Sequence, residues 1–344
     1  MNYANQTIEK TISISFVFES FWDRWLGSGL PKPTVYELRQ RVNGIEDWME
    51  VLQSHADVHE QLAIKMLKQH LISEAEYFYR NAAMNYNLIQ WMFPYTGPDK
   101  QMWYERCKCM HMEADKLAAD MISKAEIQVE GKKCRGRVRI PKHPRGCVII
   151  LNPIDSSKEE SIKYEIGFAR EGFVTVSFDG PGQGETYVFN HCLATRRGWG
   201  LFVHEVIGFA AQQFPELPLH LFGTSFGGSW AIEGGSHSKI GRVAAVSPVL
   251  GGGIWMPDYF KERMSNVIEE GENFLVLNEE SIERDRPMLL IHGRKDEWVK
   301  DEAIRSFYRR ITADRLLIEY PDERHGCSFR MDDIIRAVSD WYAR

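Results

Sequence analysis

The sequence predicts an α/β fold in which a mostly parallel, eight-stranded sheet is flanked by helices and preceded by a helical domain. Two observations predict it. In the first third of the chain, apolar side chains recur at three- and four-residue steps, as in Ile64, Leu67 and Leu71, which is typical of helices. From about Ala125 onward, short β-rich runs alternate with helical stretches, which indicates parallel strands joined by crossover helices.

The length of 344 residues suits two domains. We place a helical N-terminal domain at residues 1–124 and an α/β domain at residues 125–344. Turn residues between Pro94 and Pro98 divide two long helices of the first domain. The segment from Leu250 to Pro287 is the one long insertion that we assign within the α/β half.

Eight apolar runs are candidate strands of the second domain: Ile127–Val129, Gly136–Ile140, Cys147–Leu151, Val174–Phe178, Leu219–Phe222, Val243–Ser247, Met288–Ile291 and Leu316–Tyr320. Two overlapping capping boxes predict a helix after the third run, because Ser156 and Ser157 precede Glu159 and Glu160 by three positions. Gly172 is placed to end that helix. Later helices are predicted over residues 195–214 and 331–342.

Composition excludes several classes of protein. The chain is 44% hydrophobic and 26% charged, with a net charge of −6 and no basic stripe, so nucleic acid is not an expected partner. No apolar run approaches the roughly 18–20 residues that span a bilayer, and no basic segment opens a signal peptide. The six cysteines form no C-x-x-C pair and are expected to be reduced thiols. These features predict a cytoplasmic protein without a membrane partner.

A candidate nucleophile lies in Gly223-Thr224-Ser225-Phe226-Gly227, between an apolar strand and a helical stretch. This is the G-x-S-x-G pattern in the context that the nucleophile elbow requires. Small residues on both sides of Ser225 allow a tight turn, and the following helix N-terminus favours developing negative charge. We therefore predict that Ser225 is a catalytic nucleophile.

A serine of ordinary pKa needs a base, and the base needs a carboxylate to orient it. Chain order on this kind of fold is serine, acid, histidine. His325 lies after the last strand, and Asp296 follows the strand before it, so we predict these two residues as base and acid. Asp322 and Glu297 are rival acids.

An oxyanion hole requires two backbone N–H groups aimed at the tetrahedral oxygen. One is expected from Phe226, directly after the nucleophile. The other is expected from the loop after Leu151, where Pro153 has no N–H, so Ile154 is the preferred donor and Asp155 the next.

Other motifs predict neither a metal nor a cofactor. The run from Gly180 to Gly184 follows a strand, but its spacing is not that of a dinucleotide loop. His55 and His59 lie four residues apart without the glutamate of a zinc motif. Cys327 is expected to be a buried thiol.

From about Gly146 onward, the chain resembles the α/β-hydrolase superfamily. The resemblance is closest to the fermentation-respiration-switch-protein-like family, whose members include hydrolases that act on a pseudooxynicotine and on polyketide chains. It rests on residues 155–160, on residues 178–184 and on residues 223–228. The oxyanion loop departs from the family, because Asn152-Pro153 stands where relatives carry Gly-Gly.

The resemblance implies an α/β-hydrolase fold with a helical cap, and a serine enzyme that cleaves a carbon–carbon bond of a β-dicarbonyl by retro-Claisen chemistry. Its substrate would be an aryl diketone or a polyketide-like ketone of secondary metabolism, free or bound to a carrier. The resemblance also implies a homodimer and substrate contacts from Asp155, Asp258 and Tyr259. A carboxylesterase or thioesterase with the same triad remains an alternative, as does a non-catalytic binding protein.

Overall fold

The computed structural model describes residues 3–250, 255–272, 282 and 284–344. They form two compact units. The first extends to Ile122 and also includes Asp258–Asn266, and the second comprises Ser123–Pro257 and Val267–Arg344. No sequence pattern indicated that residues 258–266 would group with the first unit.

The first unit is helical. Its helices are α1 (Tyr3–Val17), α2 (Ser20–Ser28), α3 (Lys32–Arg41), α4 (Ile45–Lys68), α5 (Ile72–Met92) and α6 (Pro98–Asp115), with most of a later helix, Asp258–Val267, which is α11 in chain order. The predicted break between two long helices at Pro94–Pro98 is confirmed by the ends of α5 and α6. Arg263 of α11 lies 3.7 Å from the ring centre of Trp91 and donates to the Met92 carbonyl at 3.2 Å. These contacts tie α11 to the end of α5.

The second unit is built on one eight-stranded sheet. Its strands are β1 (Met121–Val129), β2 (Lys132–Ile140), β3 (Gly146–Leu151), β4 (Phe173–Phe178), β5 (Leu219–Thr224), β6 (Ile240–Val246), β7 (Met288–Gly293) and β8 (Arg315–Tyr320). Its helices are α7 (Ile162–Arg170), α8 (Gly184–Val188), α9 (Arg196–Gln213), α10 (Phe226–Gly234), α12 (Asp301–Arg310) and α13 (Met331–Tyr342).

The strands lie in the order β1-β2-β4-β3-β5-β6-β7-β8. β2 runs antiparallel to β4, and the strands from β3 to β8 pair in parallel. Every residue of β3, β4 and β7 is buried, as expected for parallel strands covered on both faces. Because the parallel strands share one direction, the loops that follow them all emerge at the same edge of the sheet.

All eight predicted strands are present, and the predicted fold class is confirmed, but two local expectations are wrong. β1 begins at Met121, although we expected a helical pattern through Lys124. The strand is longer towards its N-terminus than predicted because it pairs with β2, which follows the turn at Glu130-Gly131. Only the Ser157–Glu160 capping box forms, and it begins a 3-10 turn before α7. The Ser156 hydroxyl instead donates to the Pro153 carbonyl.

Candidate active site

Ser225 occupies a strained turn between β5 and α10. Its backbone has φ 54° and ψ −123°, a conformation that residues with a side chain rarely adopt. A Cβ on Gly223 would lie 2.1 Å from the Gly227 carbonyl oxygen, and one on Gly227 would lie 2.0 Å from the Leu151 carbonyl oxygen. Both positions therefore require glycine, which explains the G-x-S-x-G pattern in physical terms.

The three residues predicted as nucleophile, base and acid meet at the carboxyl edge of the sheet. Nε2 of His325 lies 2.8 Å from Oγ of Ser225. Nδ1 of the same ring lies 2.8 Å from Oδ2 of Asp296. The rival acid Asp322 instead lies on the surface, 3.3 Å from Lys295, and Glu297 is exposed.

The environment of Asp296 fixes the tautomer of His325. Oδ1 of Asp296 accepts the backbone N–H groups of Trp298 at 2.8 Å and Val299 at 3.0 Å. Burial raises the pKa of this carboxyl, but the His325 ring and the two N–H groups outweigh burial, and the pKa lies below its usual value. An ionised carboxylate can only accept, so Nδ1 of His325 donates and Nε2 accepts the Ser225 hydroxyl proton.

The loop that carries His325 is fixed by a hydrogen bond and by close packing against the end of β7. Gly326 has φ 79° and its N–H donates to Oγ of Ser247 at 3.1 Å. A Cβ on Gly293, at the end of β7, would lie 2.4 Å from the Arg324 carbonyl oxygen, so the two loops pack without room for a side chain. Cys327 is fully buried, as expected, and burial raises the pKa of its thiol.

The two predicted oxyanion loops lie side by side, because Leu151 at the end of β3 pairs with Gly223 of β5. Phe226 opens α10, and Ile154 lies in the loop that follows β3. Asp155, the next candidate, is buried and has φ 56°. The donor roles of Phe226 and Ile154 stay predictions.

Gln183 clamps the loop after β3, a role that sequence reasoning missed. Its side-chain amide donates to the carbonyl oxygens of Asn152 at 2.9 Å and Pro153 at 2.6 Å. Its own carbonyl accepts the N–H of Gly180 at 2.9 Å. The stretch from Gly180 to Gly184, rejected above as a cofactor loop, therefore fixes the backbone beside Ile154.

A buried ionic cluster lies behind the same loop. Nζ of Lys158 is 2.8 Å from carboxylates of Asp179 and Glu185 and 3.0 Å from Glu159. Burial lowers the pKa of Lys158, but the three carboxylates outweigh it and hold that pKa well above the usual value. Burial raises the pKa of Asp179. The only sequence sign of this cluster is that charged residues follow two buried strands.

Two of the residues predicted to contact substrate, Asp258 and Tyr259, lie in the first unit. Asp258 is on the surface of the first unit, 3.3 Å from Lys261. Tyr259 is buried in that unit, with its ring centre 6.5 Å from that of Phe21. Their substrate-binding roles, like that of Asp155, stay predictions.

Among the described residues, no cluster of three or more histidine, cysteine, aspartate or glutamate side chains could hold a metal ion. His55 instead pairs with Glu37 at 2.9 Å. Within the same part of the chain, no helix combines the length and the apolar character needed to cross a bilayer.

Comparisons with known proteins bear on the fold. A solved structure of 2,6-dihydroxy-pseudo-oxynicotine hydrolase superimposes with a TM-score of 0.76 at 22% identity, over 93% of this chain and 95% of that one. The chain has the α/β-hydrolase fold. A Pyrococcus furiosus esterase, Pf2001, matches this chain with a TM-score of 0.53 at 21% identity, over 66% of this chain and 91% of its own.

At the level of sequence, a curated relative is 2,6-dihydropseudooxynicotine hydrolase of Paenarthrobacter nicotinovorans. It is 26% identical over 215 residues, which are 62% of this chain. The chain spans 57% of that relative's length. No protein-family model matches the sequence. The predicted resemblance to the α/β hydrolases, and to a pseudooxynicotine hydrolase among them, is confirmed.

Proposed function

We propose that this chain is a serine hydrolase that cleaves a carbon–carbon bond of a β-dicarbonyl substrate. The observation that carries the proposal is the hydrogen-bonded chain from Ser225 through His325 to Asp296, with 2.8 Å at each link. A histidine between a carboxylate and a serine hydroxyl is the arrangement that activates a serine as a nucleophile, and it supports the proposal. The relative in sequence and the neighbour in structure are both named as hydrolases.

In the first step, Oγ of Ser225 attacks one ketone carbon while Nε2 of His325 takes the hydroxyl proton. The oxygen of the tetrahedral intermediate becomes negatively charged. The N–H groups of Phe226 and Ile154 would receive that charge, and the Gln183 clamp would keep the second of them in place.

In the second step, the carbon–carbon bond breaks and its electron pair leaves as an enolate. The protonated His325 returns its proton to the enolate carbon, which releases a ketone and leaves an acyl group on Ser225. Water, deprotonated by His325, then hydrolyses the acyl-enzyme to a carboxylic acid. An enolate leaves readily only when a carbonyl or an aromatic ring delocalises its charge, which favours aryl diketones and polyketide-like ketones.

The finer parts of the proposal rest on the family resemblance. They are a role in secondary metabolism with a free or carrier-bound substrate, a cytoplasmic location and a homodimeric state. The substrate contacts of Asp155, Asp258 and Tyr259 belong to the same part of the proposal. The second candidate function is ester or thioester hydrolysis, which the likeness to a protein named as an esterase favours.

Two substrates separate these functions. Purified protein is incubated with a benzoylacetone-type diketone and with a p-nitrophenyl ester, and the acid and ketone products are quantified. We expect the diketone to yield one acid and one ketone per turnover, and Ser225→Ala to stop both reactions. Turnover of the ester alone would contradict carbon–carbon cleavage and favour the esterase.

The pH profile tests the base. His325 can accept the Ser225 proton only while Nε2 is unprotonated, so activity is expected to fall on the acid side as the ring takes up a proton. The profile of kcat/KM is measured between about pH 5 and 8. A flat profile over that range would contradict a histidine base.

A further inference from the structure

An aromatic ring covers one face of the candidate base. The ring centres of Trp298 and His325 are 5.2 Å apart, and the two planes are inclined by only 13°. His325 retains 18% exposure of its side chain. The imidazole is therefore hydrogen-bonded to Asp296 through Nδ1 and to Ser225 through Nε2, and the Trp298 indole stacks on its face.

The backbone that carries this indole is itself anchored. The N–H of Trp298 donates to Oδ1 of Asp296, the carboxylate that orients His325. The carbonyl of Trp298 accepts the N–H of Trp255 at 3.1 Å. One short turn therefore presents both the carboxylate to the edge of the imidazole and the indole to its face.

A neutral imidazole and an imidazolium differ in what they gain from this stack. The face of an indole carries negative electrostatic potential and attracts a cation within about 6 Å of the ring centre, with Trp the strongest of the aromatic residues. In the proposed mechanism, His325 becomes a cation when it takes the proton of Ser225. The attraction is therefore stronger in the transition state than in the ground state, which is the condition for it to accelerate the reaction.

We propose that Trp298 is a positioning residue whose indole stabilises the protonated form of His325 during hydrolysis. The inference deepens the proposed function and rests on it for its catalytic consequence. The interaction between the two rings can be measured without turnover, so it is testable by itself.

Other charged groups surround the base and must stay constant in the test. Asp296 faces His325 directly, and His292 lies behind that carboxylate, with Nδ1 3.8 Å from Oδ2. Glu323 and Arg324 precede His325 in its own loop, and Cys327 follows in the loop. Substitutions of Trp298 alter none of these groups, and they leave its backbone hydrogen bonds available.

The experiment compares Trp298→Leu and Trp298→Phe with the wild type. Leucine keeps an apolar cover but removes the aromatic face, whereas phenylalanine keeps a weaker one. Histidine labelled with carbon-13 is titrated by NMR, and the signal of His325 among the 11 histidines is assigned from its loss in His325→Gln. Trp255→Leu is the matched control, because it removes an exposed indole from the residue whose backbone N–H bonds to the Trp298 carbonyl.

We expect the titration midpoint of His325 to fall by roughly 0.4 to 1 pH unit in Trp298→Leu, by less in Trp298→Phe and not at all in Trp255→Leu. The acid limb of kcat/KM should move with it, and kcat should fall about two- to fivefold, with partial rescue by phenylalanine. An unchanged or higher midpoint in Trp298→Leu overturns the proposal, as does a higher KM without any change in midpoint. If the wild type turns over neither substrate, the proposed function fails, while the titration still decides the role of the indole.

Discussion

Replacement of Ser225 by alanine is expected to lower kcat by roughly 10⁴- to 10⁶-fold while the fold stays intact. In the proposed mechanism, this hydroxyl forms the bond to the substrate carbon. Oγ is 2.8 Å from Nε2 of His325 and the residue is buried, so the change removes one reacting atom from a preformed arrangement. Turnover is measured with the ester and with the diketone, and folding by circular dichroism.

Ser236→Ala is the matched control for this substitution. Its hydroxyl donates to the Glu233 carbonyl in an exposed turn beyond α10 and should leave kcat unchanged. His325→Gln is expected to lose nearly as much activity as Ser225→Ala, because the nucleophile and its base act as one unit. Activity within tenfold of the wild type in well-folded Ser225→Ala protein would contradict the assignment of the nucleophile.

Replacement of Lys158 by methionine is expected to lower the free energy of unfolding by roughly 3–5 kcal/mol. Lys158 is the cation that faces the buried carboxylates of Asp179, Glu159 and Glu185 at 2.8–3.0 Å. Methionine keeps all but the last atom of the unbranched side chain and leaves these carboxylates without that charge. The measurement is urea denaturation, with the exposed Lys142→Met as control, for which a change within about 0.5 kcal/mol is expected.

The deficit of Lys158→Met should also depend on pH. Burial raises the pKa of Asp179 in the folded protein, and loss of the cation removes an interaction that lowers it. The folded variant therefore takes up protons as the pH falls, and its stability recovers relative to the wild type. We expect a smaller difference at about pH 4.5 than at pH 8. An equal deficit at both values, or none at either, would contradict an ionic role for the cluster.

Sequence patterns predicted the strands and the meeting of Ser225, Asp296 and His325 because local signals encode both. Each strand is an apolar run between turn residues, and each of the three side chains follows a strand that ends at the same edge of the sheet. The G-x-S-x-G pattern is also recognisable in the sequence, although only one of its glycines is required within the turn. A Cβ on Gly223 would lie 2.1 Å from the Gly227 carbonyl oxygen, whereas one on Gly227 would lie 2.0 Å from that of Leu151, in a distant strand.

What escaped prediction depends on contacts between segments distant in the chain. Gln183 and Asn152 are 31 residues apart. No pattern near either residue indicates that the side-chain amide of Gln183 donates to the loop that contains Asn152. Residues 258–266 contact the helical unit through side chains such as Arg263, whose partner Trp91 lies far earlier in the chain. Nothing in the sequence around Trp298 indicates that its ring stacks on that of His325, because the contact depends on the fold.

Ser225 is proposed as a nucleophile activated by His325, and reaction with a fluorophosphonate tests that activation most directly. Wild-type protein and His325→Gln are treated with the reagent, and the modified residue and the labelling rate are determined by mass spectrometry. We predict one adduct, on Ser225, that forms at least about 100-fold faster in the wild type than in the variant. Absence of an adduct on Ser225, or equal rates in the two proteins, would contradict it.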